Sequence, residues 1–254
     1  MAEKLRILEN PLAIAISGNA GAGKSTVSTA VAQRLGADTV FNTGRVYRSI
    51  ATILDREGIA PGNLGSIKSF ARSINSVGQV GFGDDQFTEV GVGLSDVYRL
   101  YPVVDGLHSV QTSNLVPLYA SNPDIREVVG GIESETAINV LQDGWTESGS
   151  HTFVSEGRNV YEVLTTGGVP EDWILSAFLS VSDRVAAQRR QGEAQFQDMN
   201  LEEIEQAIAD RNALDTQRAH GSYGFVEGRD YKIDTDCTTA AGVAEEIVNL
   251  ALAT

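Results

Sequence analysis

One stretch, Gly18-Asn19-Ala20-Gly21-Ala22-Gly23-Lys24-Ser25, constrains this chain more than any other. It fits the phosphate-loop pattern G-x-x-x-x-G-K-S/T at every fixed position. Glycines let backbone N–H groups converge on phosphate oxygens without obstruction by Cβ, and the N-terminus of a following helix adds a favourable dipole. The sequence supplies the flanks that such a loop needs. Leu12–Ser17 is an apolar run of strand length, and Val27, Ala30, Val31 and Leu35 are spaced for one buried helical face. Lys24 is suited to β- and γ-phosphate oxygens and the Ser25 hydroxyl to Mg²⁺, so Gly18 through Thr26 are the candidate donor-nucleotide residues.

The remaining pattern alternates strand and helix. Thr39–Asn42 reads as a second strand, followed by helices at about Thr43–Arg56 and Asn63–Ile74. Alternation in 77–82 and 87–93, with Gly83-Asp84-Asp85 between, predicts a small antiparallel hairpin. A long helix is expected over Asn122–Leu141, and strands over Thr152–Ser155 and Trp173–Val181, each leading into helix-prone sequence. Met199–Leu214 reads as a helix with Asn200 as N-cap and Glu203 completing a capping box. Tyr231–Asp234 and Ala240–Ala253 close the chain as strand and amphipathic helix. This order argues for an α/β fold with a mostly parallel central sheet covered on both faces.

Composition excludes several classes. With 254 residues, 42% hydrophobic and 21% charged, disorder, collagen and coiled coil are poor descriptions. Leu12–Ile16 is too short to span a bilayer and lacks a leader's basic flank, so a cytoplasmic chain without membrane contact is expected. The single cysteine, Cys237, excludes an internal disulfide and a Cys-based zinc site. His151 and His220 belong to no metal or triad pattern. A formal charge of −15 argues against nucleic acid as a partner. Small-molecule nucleotides are the expected partners, and a monomer is preferred where spacing leaves oligomeric state open. Of the 19 basic residues 15 are arginines, whose planar forks bind phosphate, so their positions matter more than the total.

A phosphate loop alone leaves kinases, switch GTPases and motor ATPases open. Later stretches narrow the field: Phe41-Asn42-Thr43-Gly44-Arg45-Val46-Tyr47-Arg48, Glu156-Gly157-Arg158-Asn159, and Arg211, Asp215 and Arg218 on one face of a predicted helix. Together with the loop, Pro123-Asp124-Ile125-Arg126 and Ile233-Asp234-Thr235, they resemble the cytidylate kinase family of nucleoside monophosphate kinases, in the same order over nearly the whole chain.

The resemblance implies a three-layer P-loop kinase fold as one domain, 1–254. Residues 1–75 and 150–254 would form the core, about 76–120 an inserted acceptor-binding lobe, and about 184–212 a helical lid. ATP would be the phosphoryl donor and Mg²⁺ the cofactor, held by Ser25 and Glu156. Arg48, Arg126 and Arg158 match arginines at the acceptor's phosphate or the transfer site, and Asn42, Thr43 and Asn159 fall at further acceptor positions. Arg211 and Asp215 match the pair that positions a pyrimidine nucleoside, with Arg218 a companion at the phosphates. Arg184, Arg189 and Arg190 stand where the lid begins: Arg184 is assigned to the donor, and Arg189 and Arg190 join Lys24 and Arg158 as catalytic candidates. A solvated basic helix face and an exposed i,i+4 ion-pair ladder are the structural alternatives for these lid and helix residues.

The chain also departs from the family pattern. Asn42, Asn159 and Asn212 stand where it has aspartates, Tyr161 and Glu162 where it has Gly-Thr, and, in a loosely aligned region, Pro117 and His108 replace a serine and an arginine. An asparagine keeps an acceptor oxygen, loses the charge and gains an NH₂ donor. The phosphate-handling residues survive while the acceptor-reading ones change. That division suggests phosphoryl transfer to CMP, dCMP or a modified pyrimidine nucleotide. A kinase of another small metabolite and a non-catalytic nucleotide-binding protein remain the alternatives. A switch GTPase ranks lower because no N-K-x-D element is present.

Overall fold

The computed structural model describes residues 10–80, 87–94, 97–103, 110–143, 150–193, 196–217 and 224–254. Its centre is β1 (Leu12–Gly18), buried along its whole length between β6 (Thr152–Glu156) and β7 (Ile174–Ser180). β2 (Val40–Asn42) pairs outside β6 and β8 (Asp230–Asp234) outside β7, giving an all-parallel sheet ordered β2-β6-β1-β7-β8. A parallel sheet buries both faces, so its strands read as continuous apolar runs. Successive β1 side chains alternate accordingly: Leu12, Ile14 and Ile16 enter one core, Ala13 and Ala15 the other.

The first core is completed by α1 (Lys24–Leu35), α7 (Asp183–Arg190), α8 (Leu201–Gln217) and α9 (Ala240–Ala253). The second is completed by α2 (Thr43–Arg56), α3 (Leu64–Ser73), α4 (Val110–Ala120), α5 (Pro123–Asp143) and α6 (Val160–Thr166). This is the three-layer P-loop kinase fold. Its register aligns Asn42 with Glu156 and Glu156 with Ile16, and Gly18 with Leu179, so the carboxyl ends of four neighbouring strands share one edge. Ligands of open α/β sheets bind at that edge.

The region after α3 differs from expectation. In place of a two-stranded hairpin there is a three-stranded antiparallel sheet, β3 (Ile74–Val80), β4 (Phe87–Leu94) and β5 (Val97–Val103). The third strand, VYRLYPV, lacks clean alternation and contains Pro102; as an edge strand it tolerates the missing donor. The expected turn Gly83-Asp84-Asp85 lies outside the described residues, as do His108 and His220. Helix α4 has no counterpart in the sequence expectations; Pro117 lies within it and is exposed.

Several helix starts follow their local sequence. Asn42, Asn63, Ser182 and Thr239 cap α2, α3, α7 and α9 through side-chain oxygens. The Asn200 Oδ1 accepts from Glu203 N–H at 3.0 Å while Glu203 returns a carboxylate oxygen to Asn200 N–H at 2.8 Å, a reciprocal capping box. No helix among the described residues is long and apolar enough to cross a membrane.

Candidate active site

The phosphate loop is shaped by what surrounds it. A Cβ on Gly18 would stand 2.2 Å from the Leu179 carbonyl oxygen, and one on Gly21 would stand 2.7 Å from Ala186 Cβ. Both glycines also adopt positive φ, so larger residues are excluded twice over. Asn19 N–H donates to Leu179 O at 3.1 Å, tying the start of the loop to β7. Helix α1 then begins at Gly23, which offers no side chain to cap it, and its first turn carries no acidic residue. Its leading N–H groups are thus presented to an anion rather than to the protein, a fit for phosphate.

Lys24 Nζ donates to the Gly18 and Asn19 carbonyls at 2.9 and 2.8 Å. Burial pulls its ammonium down to about 7, and the guanidinium of Arg158, with those of Arg211 and Arg190, pushes the same way against the carboxylate of Glu156. A lysine so placed gains from any phosphate oxygen that restores its charge.

Opposite the loop, Glu156 ends β6 and is buried. Burial raises its carboxyl above the usual range, opposed by a hydrogen bond from Ser25, by the charges of Lys24 and Arg48, and by the amide of Asn42. Asn42 uses both ends of its side chain: Oδ1 accepts from Arg45 N–H at 2.8 Å and Nδ2 donates to Glu156 Oε1. Ser25 and Glu156 thus join a hydroxyl and a carboxylate, hard oxygen donors of the type Mg²⁺ takes beside substrate phosphates. The residues present fit that ion. No larger cluster of His, Cys, Asp and Glu that could hold a metal occurs among the described residues.

Behind Glu156 lies a second carboxyl. Glu133 of α5 is fully buried and faces Ser155 Oγ at 2.5 Å and Thr43 Oγ1 at 3.3 Å. Burial pushes it up to about 7 against those two hydroxyls. Thr43 Oγ1 also lies 3.0 Å from the Glu156 carbonyl, and a Cβ on Gly157 would come within 2.8 Å of that hydroxyl. The start of α2 therefore packs tightly onto the end of β6.

The arginines divide. Arg48 is half-buried, and its guanidinium pKa is lowered first by that burial, then by the charge of Arg190, and by Arg158 and Arg45; Glu156 opposes them. Lys24 thus feels the charges of Arg158, Arg190, Arg211 and Glu156, and Arg48 those of Arg158, Arg190 and Glu156. Arg190 forms a two-pronged pair with Glu193 and lies over the Phe196 ring at 4.9 Å. Arg189 donates to Gly21 O at 3.4 Å and to Thr235, bracing the outside of the loop against the end of β8. Arg126 bonds Ala120 O at 2.7 Å, and its charge acts on the Tyr47 phenol, which burial raises to about 12. Arg184 is not drawn into this group: it is exposed and paired with Glu205 at 3.0 Å. Thr26 lies exposed on α1, and Asn159 precedes α6 without capping it by its side chain. Asp215 lies on α8, and Arg218 falls outside the described residues.

Two site residues escaped the sequence reading. Arg45 is 6% exposed and lies beside Arg48. Its signal was its place three residues before Arg48 on one helix. Glu133 shares the spacing of Val129 and Ala137, both buried, so a charged residue on the core face of α5 was visible in the pattern.

Tyr161 and Glu162, which depart from the family pattern, take structural partners. Arg229 donates to Glu162 at 2.6 Å and to Asp230 at 2.7 Å, and lies 4.6 Å over the Tyr161 ring. They fasten α6 to the start of β8 rather than facing the phosphate loop.

The family model described as cytidylate kinase matches residues 14–253. A cytidylate kinase of Fervidobacterium nodosum is 29% identical over 241 residues, covering 93% of this chain and 94% of that one. One from Clostridium botulinum is 25% identical over 242 residues, covering 94% and 97%. Among solved structures, a shikimate kinase from Bacteroides thetaiotaomicron is a distant likeness, with TM-score 0.41, 14% identity and coverage of 94% and 96%.

Proposed function

This chain belongs to the cytidylate kinase family, and from that premise we propose that it transfers the γ-phosphoryl group of ATP to a nucleoside monophosphate, CMP or dCMP first among them. What supports the proposal is that Lys24, behind the uncapped start of α1, feels the charges of Arg158, Arg190, Arg211 and Glu156, and Arg48 those of Arg158, Arg190 and Glu156, in a protein of net charge −15. Such a cationic focus suits two polyanions held side by side.

An oxygen of the acceptor's phosphate would attack the γ-phosphorus in line as the bond to the β-phosphate oxygen breaks, yielding ADP and a nucleoside diphosphate. No protein nucleophile is required, and the protein's contribution is position and charge. The loop's N–H groups and Lys24 would hold the β- and γ-phosphates. Arg158, Arg190 and Arg48 would neutralise charge on the transferring group and on the acceptor's phosphate. Ser25 and Glu156 would hold Mg²⁺, which supplies charge neutralisation on the phosphate oxygens when bound. Arg211 and Asp215 would meet the acceptor's nucleoside, with β3–β5 contributing to its pocket. Arg126, whose charge acts on the Tyr47 phenol, would join Arg48 at the acceptor's phosphate.

The test is coupled ADP release with Mg·ATP and a panel of nucleoside monophosphates. ADP formed with CMP or dCMP, and not with AMP or GMP, supports the proposal. ATP binding with no acceptor-dependent turnover across the panel overturns it.

A further inference from the structure

A link between the phosphate loop and the helices that follow β7 runs through one side chain that the proposed chemistry does not use. Asn212 of α8 is partly buried, and both ends of its amide are engaged. Its Oδ1 accepts from Ala20 N–H at 3.3 Å, and its Nδ2 donates to Asp183 Oδ1 at 3.0 Å. Ala20 is in the loop and Asp183 is the first residue of α7, so one amide ties three segments together. The partners fix its orientation: a backbone N–H needs an acceptor and a carboxylate needs a donor, so a flipped amide would lose both bonds.

The side chain sits where a shift would be felt. Arg211, its neighbour, acts electrostatically on Lys24. Ala186 of α7 lies directly against Gly21, and Arg189 of α7 donates to the Gly21 carbonyl. Aspartate and alanine each break the link. An aspartate keeps the acceptor for Ala20 but places a carboxylate against Asp183. An alanine removes the partner from both.

We propose that Asn212 is a positioning residue that helps seat the α7–α8 pair on the phosphate loop, so that the shape of the donor cradle and the placement of Arg211 are coupled through its amide. The proposal deepens the function proposed above and rests on it for the loop's ligand.

The experiment is a charge-pattern swap. Asn212→Asp, Asn212→Ala and the double variant Asp183→Asn/Asn212→Asp are compared with the parent. Two readouts are used: the Kd of Mg·ATP by calorimetry, and hydrogen exchange of a loop fragment containing Ala20. Asn212→Asp and Asn212→Ala should each weaken Mg·ATP by about tenfold and speed exchange at the loop. The double variant exchanges the two ends of the contact: the amide introduced at position 183 donates to the carboxylate introduced at position 212, which still accepts from Ala20 N–H. Affinity should then return to within about threefold and exchange should slow again. Loop exchange unchanged in Asn212→Asp, or a double variant as impaired as that single one, overturns the proposal. A parent protein that binds no Mg·ATP sinks the proposed function instead, and loop exchange across the same variants still decides the role of Asn212.

Discussion

On one face of the central sheet, Leu12, Ile14 and Ile16 meet α1 and α9 through aliphatic side chains such as Val31, Leu35, Ile247 and Val248. On the other face, where β2 and β6 meet α2 and α5, Thr43, Arg45, Ser49, Glu133 and Ser155 are buried among the apolar groups. The first face carries the phosphate loop. The second includes α2 and α5, which carry Arg48 and Arg126 of the residues assigned to the acceptor, while Arg211 and Asp215 stand on α8 of the first. An aliphatic core holds its shape by volume alone and is indifferent to pH. A buried polar layer holds its shape through a few directed bonds, each costly to leave unmade. The aliphatic core is thus a fixed platform, and the second core holds a buried carboxyl, Glu133, whose state can change.

Four measurements would break or sharpen that contrast. The largest effect belongs to chemistry on the platform itself: Lys24→Ala should lower kcat by about a thousandfold or more in the ADP-release assay while the protein stays folded. Near-normal turnover would detach the loop from the reaction. Next, Leu179→Ala on the aliphatic face should cost about 2–5 kcal/mol in urea unfolding, by the same amount at pH 5 and pH 8.

Glu133→Gln should behave oppositely. The Glu133 carboxyl is raised to about 7 in the folded protein from its ordinary 4.5. Below pH 4.5 both states keep the proton and there is no penalty. As pH rises from 4.5 towards 7 the unfolded chain releases it first, so the wild-type protein loses up to about 3 kcal/mol of stability. The glutamine variant lacks that loss and should gain on wild type between pH 4.5 and pH 8. An offset that does not change with pH would erase the distinction between the faces.

The smallest signal is a proton. Lys24 is pulled down to about 7 by burial and Arg158, so a bound phosphate favours its charged form. Binding of ATP without Mg²⁺ at pH 7 should then take up protons at Lys24, measured by calorimetry in buffers of different ionisation enthalpy. No uptake would mean that Lys24 is already charged.

Much of the platform was legible in the sequence because it is written locally. The apolar run before the loop, the helical spacing after it, and the capping box at Asn200 and Glu203 each lie within a few residues. The rest was harder because its meaning depends on contacts across the chain. Asn42 reads as an altered acceptor position until its amide is seen on Glu156, 114 residues away. Asn212 reads as a lost charge until Ala20 and Asp183 are found at its two ends. Tyr161 and Glu162 look like changes in substrate recognition, yet their partner is Arg229. Strand β5 escaped because an edge strand with a proline carries no clean alternating signal.

The crowding of Gly18 against Leu179 and of Gly21 against Ala186 bears on how the protein is made. Both partners lie far downstream, on a strand and a helix that leave the ribosome long after the motif itself. A nascent chain ending before them carries the right letters without the walls that mould them. Nucleotides present during synthesis should therefore do little for an early fragment and act as a folding aid only once translation has passed α7.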